Sequence, residues 1–135
     1  MIKLPTLLLA GFALASCAST SPAASCRPGE QPAVMDSLYF GTAMPDGQVK
    51  VEEWQRFLAE FITPRFPEGL TSWAAAGQWQ GGDGEVQKES SFVLHVVHAD
   101  SPQTDSAIRE VVSVYKERFR QQAVLRVRSP ACISF

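Results

Sequence analysis

The run Ser91-Phe92-Val93-Leu94-His95-Val96-Val97-His98 (SFVLHVVH) is the most strand-like stretch of the chain, because β-branched and aromatic side chains suit a pleated, half-buried surface. Its neighbours decide the fold. Upstream, Gly81-Gly82-Asp83-Gly84 reads as a turn. Before it, Thr71 to Trp79 reads as a partner strand, although its Ala74-Ala75-Ala76 centre also suits a helix. Downstream, Asp100 or Ser101 offers an N-cap with Pro102 just inside. Ile108, Val111, Val112, Tyr115 and Phe119 then form the apolar stripe of a helix. Ala123 to Arg128 reads as the last strand.

Toward the N-terminus, Val51, Trp54, Leu58 and Phe61 recur at helical spacing, with Phe57 and Ile62 widening the stripe. Pro64 and Pro67 stop that helix. Ser37 to Ala43 is a short strand closed by Pro45-Asp46-Gly47. The order βαββαβ predicts an α+β domain of ferredoxin-like arrangement, a four-stranded antiparallel sheet with two helices on one face. A different α+β plait is the alternative.

The chain opens with Met1-Ile2-Lys3 and an apolar core from Leu4 to Leu14. The core is too short to span a membrane, which takes about 20 apolar residues, and it reads as an export signal. Leu14-Ala15-Ser16-Cys17 resembles the bacterial lipobox, which implies cleavage after Ser16 and acylation of Cys17. One acyl chain binds membranes marginally, so the two or three expected at Cys17 are what would make a lasting anchor. Ala18 follows, where an inner-membrane retention signal usually has Asp, so in a Gram-negative cell the expected address is the periplasmic face of the outer membrane. An ordinary signal-peptidase site with an incidental cysteine is the competing reading.

Residues 1–16 are thus expected to be a lipoprotein signal peptide, 17–35 the lipidated N-terminus and a flexible Ser/Ala/Pro-rich tether, and 36–135 a single domain. The sequence of 135 residues carries 12 basic and 14 acidic side chains. So mildly acidic a chain lacks the basic field that nucleic-acid binding needs.

Beyond its periodicity, the domain carries Tyr39-Phe40-Gly41, Trp54-x-x-Phe57, Pro64-Arg65-Phe66-Pro67-x-Gly69-Leu70-Thr71, Gly77-Gln78-Trp79, Glu89-x-Ser91 and Tyr115-Lys116-x-x-Phe119. Together these resemble a family of small exported bacterial proteins known only as a domain of unknown function, over roughly residues 37–128. The PRFPEGLT and GQW segments are the most specific. The resemblance implies an envelope setting and carries no catalytic residues.

Residue by residue, the chemistry is sparse. His95 and His98 are the only histidines, and a spacing of three on a strand turns them to opposite faces, which argues against shared metal coordination. The glycine turn leads into a strand rather than a helix, so it reads as a hairpin loop and not as a phosphate cradle. Arg65, held between two prolines, could meet a carboxylate or phosphate; pairing with Glu68 or capping helix carbonyls is the plainer expectation. No metal and no cofactor are expected, and no catalytic set is recognised.

The more informative feature is a surface. Val93/His95/Val97 and Phe92/Leu94/Val96 are both apolar, so whichever face the helices leave open calls for a covering partner. The face bearing Val124, Arg126 and Arg128 could pair with either set. The candidate binding surface comprises Tyr39, Arg65, Trp73, Trp79, His95, Arg126 and Arg128. Three functions fit: a protein-interaction or ligand-binding module, as a homodimer or with another envelope protein; a small periplasmic enzyme with a pocket between two sheet faces, using His95 or Tyr39; or a structural protein whose own tail covers the face. The first is preferred over an enzyme.

Cys26 and Cys132 remain. In an oxidising envelope two such cysteines tend to pair, and in a 4-1-3-2 sheet the end of the last strand lies beside the start of the first. A Cys26–Cys132 disulfide is expected, the alternatives being free thiols or an intermolecular bond. It would leave Ala18 to Ser25 as a leash of under about 30 Å.

Overall fold

The computed structural model describes residues 26–135 apart from 81 and 83. The segments expected to be the signal peptide, the acylated Cys17 and the leash to Ser25 lie outside the described residues. The described residues build six strands: β1 (Gln31–Gly41), a small hairpin of β2 (Ala43–Met44) and β3 (Gly47–Gln48), β4 (Thr71–Gln80), β5 (Val86–His98) and β6 (Leu125–Ile133). Two helices interrupt them, α1 (Val51–Phe57) and α2 (Pro102–Arg118). Among the described residues no helix is long and apolar enough to cross a membrane.

The four long strands form one sheet in the order β4-β5-β1-β6, with every neighbouring pair antiparallel. Two differences from the expectation stand out. β1 begins at Gln31, inside the segment read as tether, because Gln31 to Ala33 find backbone partners in Ala131 to Ile133 of β6. The Pro45-Asp46-Gly47 turn does not simply end a strand; it closes the separate β2–β3 hairpin.

Local chemistry explains the helix ends. Before α1, the Glu53 carboxylate accepts from the Lys50 backbone N–H at 2.9 Å, which satisfies a donor the first turn leaves over. α1 loosens into a π-helical turn over Leu58–Ile62 and a 3-10 turn over Thr63–Arg65, where Pro64 supplies no N–H to continue the ladder. At α2 the Ser101 hydroxyl accepts from the Thr104 N–H at 3.1 Å, with Pro102 in the first turn.

Strand alternation then sorts the core. Leu38 and Phe40 of β1 and Phe92, Leu94 and Val96 of β5 turn to one face. There they bury Trp54 and Phe57 of α1 and Ile108, Val111 and Tyr115 of α2 in a single cluster. Trp54 stacks on Phe92 with ring centroids 4.9 Å apart, and Tyr115 meets Phe40 edge-on at 4.7 Å. Both helices therefore pack on the same side of the sheet. At its corner Cys26 and Cys132 form a disulfide with Cα atoms 5.6 Å apart, reachable because Cys132 lies opposite Pro32 at the start of β1.

Candidate functional site

The face turned away from the helices carries the odd-numbered residues of β1, β4, β5 and β6. Trp73, Val93, Tyr39 and Leu125 lie side by side in one row across all four strands. Thr71, His95, Ser37 and Val127 form the next. The His95 ring meets Trp73 edge-on, with centroids 4.7 Å apart. Leu125 is 61% exposed, Trp79 58%, Val127 47% and Trp73 42%, so this face carries large apolar side chains that the helices do not cover.

Toward the β2–β3 hairpin this face deepens into a cleft of about 820 Å³, lined among others by Tyr39, Trp79, Lys88, Glu89, Arg120 and Gln121. Gly41 lies on the cleft wall, where the Glu89 carboxylate approaches its backbone closely enough that a Cβ there would make that side chain move. The Gly41 carbonyl accepts from the Tyr115 hydroxyl at 2.8 Å. Burial first, then the charges of Glu89 and Glu53, push the Tyr115 phenol well above its ordinary range, so it stays a donor. Gln121 braces the rim by donating to the Ala43 carbonyl at 2.6 Å, and Arg120 pairs with Asp46 of the hairpin. The cleft thus offers aromatic faces, the Glu89 carboxylate, the Lys88 ammonium, the Arg120 guanidinium and several glutamine amides to a bound molecule.

Of the sequence-predicted residues, Tyr39, Trp73, Trp79 and His95 share this open face; the arginines do not. Arg126 lies opposite Leu38 and so shares its face, on the helix side. There its Nε and Nη2 donate to the two carboxylate oxygens of Asp36 at 2.7 and 2.9 Å, and its Nη1 donates to Asp105 of α2 at 2.7 Å. Arg128, on the same side, pairs with Asp100. Arg65 forks onto Glu110 of α2 at 3.1 and 2.9 Å, donates to the Phe61 carbonyl at 2.7 Å and lies over the Phe61 ring. Its carbonyl-capping role is as expected from sequence, but its acidic partner is Glu110, not Glu68. These three arginines fasten elements of the fold and do not share the open face.

Asp36 was legible only as a domain boundary, yet it is fully buried at the centre of this cluster. His98 reaches it through Nε2 at 2.8 Å. Burial would raise the Asp36 carboxyl, but hydrogen bonds from Arg126 and His98 outweigh it and hold the group below the ordinary carboxylate range. A signal was present: Asp36 has the parity of Leu38 and Phe40, an acid at a core position that demands a partner.

An α+β domain with a four-stranded antiparallel sheet, two helices on one side and an apolar face on the other is the class these observations define. The chain belongs to the family described as Protein of unknown function (DUF3574), whose profile matches residues 35–135. No curated protein shows significant sequence similarity to it. Among solved structures it is similar to a phage SAM lyase in complex with S-methyl-5′-thioadenosine, with TM-score 0.55 and 13% identity, covering 85% of this chain and 97% of that one. The apo phage SAM lyase matches at TM-score 0.52 and 14% identity, covering 79% and 91%. At such identities the likeness concerns the fold.

Proposed function

We propose that this is a lipid-anchored protein of the bacterial envelope that binds a flat, largely apolar small molecule on its open sheet face. We read its architecture as ferredoxin-like with an inserted β2–β3 hairpin. The strand order and the placing of both helices on one side support that reading.

The observation that carries the binding reading is the continuous uncharged surface of Trp73, Tyr39 and Leu125 running into the cleft at Trp79 and Glu89. Ligand sites combine apolar walls with polar groups that fix orientation, and this cleft sets Tyr39, Trp79 and Leu125 beside Lys88, Glu89, Arg120 and several glutamines. A ring would stack on Trp79 or Tyr39 while Glu89 accepts from its donors. S-methyl-5′-thioadenosine, the molecule held by the phage SAM lyase, has the requisite ring and is the probe to use. Titration calorimetry should show saturable binding of it or of a related nucleoside, weakened at least tenfold by Trp79→Ala and by Leu125→Asp. Absence of saturable binding across such a panel, or binding indifferent to both substitutions, overturns the reading.

The anchor rests on Leu14-Ala15-Ser16-Cys17. Cys17→Ser should abolish palmitate labelling and release the chain from membranes; labelling that survives the substitution removes the anchor from the proposal.

A further inference from the structure

The two edges of the sheet are built differently. β6 presents Arg126, Arg128 and Pro130 and is stapled at Cys132. Charges, prolines and covalent ties of this kind keep an edge from pairing with another chain. β4 has none of these devices. Its ten residues, Thr-Ser-Trp-Ala-Ala-Ala-Gly-Gln-Trp-Gln, include no charge and no proline, and eight of them are exposed. Among the described residues it is bonded to β5 on one side only. A long, flat, uncharged edge offers a row of backbone donors and acceptors ready for another strand.

We propose that β4 pairs antiparallel with β4 of a second copy of this chain, joining two four-stranded sheets into one of eight strands. The occupant follows from the strand's own symmetry. A twofold axis at Ala76 sets residue i opposite residue 152 − i, which puts Trp73 of each copy directly across from Trp79 of the other. Residues opposite one another in an antiparallel pair share a face, and Trp73 and Trp79, both odd-numbered, lie on the open face already. Cross-strand aromatic pairs of this type stabilise a ladder. Ala75 meets Gly77 on the same face, and Ser72 meets Gln80 on the other. Small residues fill the centre of the ladder and aromatic pairs flank it, with no like charges opposed. The second copy's Trp73 also lands beside Trp79 at the rim of the cleft, so the pairing would enlarge the binding surface. The pairing does not depend on the ligand reading and is tested without a ligand.

Ala76 is decisive because it faces its own copy across the axis, on the side of the sheet away from the open face. Two full-length chains with different tags, expressed together, should co-purify. Ala76→Lys in both should reduce recovery of the second tag at least tenfold through like-charge opposition. Ala76→Glu in both should do the same. One copy with each should restore recovery, a rescue that local misfolding cannot produce. Far-UV circular dichroism should show each variant folded. Failure of the wild-type chains to co-purify overturns the proposal. So does co-purification that ignores charge at position 76 and is lost on Val127→Asp, the result expected if two open faces packed together instead.

Discussion

His98 and Asp36, far apart in the chain, meet on adjacent strands with Nε2 2.8 Å from Oδ2, while the other ring nitrogen of His98 lies 2.8 Å from the Ala99 carbonyl. Both ring nitrogens of His98 thus sit within hydrogen-bond distance of an oxygen, one on β1 and one on the backbone just past β5. Asp36 thus meets both His98 and the Arg126 guanidinium, and Arg126 continues to Asp105 on α2. One buried carboxylate thereby ties β5, β1, β6 and α2 together.

Removing one partner should cost more than the contact itself, because it strands a buried charge. Arg126→Met is expected to destabilise by about 3–5 kcal/mol, and Asp36→Leu combined with Arg126→Met to recover a large part of that. Urea denaturation of the two variants and the wild type measures both.

The same carboxylate sets an acid limit. Its folded pKa lies below the unfolded value near 3.9, so its stabilisation is fully present above that value and is lost as pH falls through the folded pKa. Wild-type stability should therefore fall steeply below about pH 4, and Asp36→Asn, weaker at neutral pH, should show a flatter profile there. Parallel slopes for the two proteins between pH 2 and 5 would assign the acid sensitivity to other groups.

The disulfide joins residues 106 apart in sequence. Loop-closure entropy for so long a loop predicts up to about 5 kcal/mol, with about 2–5 kcal/mol typical for small exported domains. Cys26→Ser, or reductant on the wild type, should lower the denaturation midpoint accordingly. A midpoint unchanged by reductant would show that the β1–β6 ladder closes that corner unaided.

The open face should behave oppositely to the core. Leu125→Asp and Val127→Asp sit on exposed positions and should leave stability within about 0.5 kcal/mol of wild type. Binding of an apolar fluorescent dye should nonetheless drop several-fold, since each substitution places a charge in the patch. A large stability loss in either variant would mean that the face is a covered part of the core.

Much of the fold was legible because its elements announce themselves locally. Phe92, Leu94 and Val96 alternate with Val93, His95 and Val97; Val51, Trp54, Leu58 and Phe61 keep helical spacing. The early start of β1 was less visible because it rests on pairing with Ala131 to Ile133, far along the chain, and the β2–β3 hairpin because two residues a side are too few to show an alternation. Four members of the candidate surface could be named because large aromatic or imidazole side chains at strand positions are conspicuous. The arginines were assigned to it wrongly for a physical reason: an arginine on an amphipathic strand looks solvent-facing until the register shows an acid within reach.

What the amino-acid order determines by itself is therefore the set of elements and the parity within each, because side-chain alternation and helical spacing are properties of neighbouring residues. Which parity meets the helices, and hence that Asp36 is buried against His98 and Arg126 while Trp73, Tyr39 and Leu125 stay open, is decided only by the tertiary structure. A shift of one residue in any strand's pairing would exchange its two faces, and only the packed sheet selects the register.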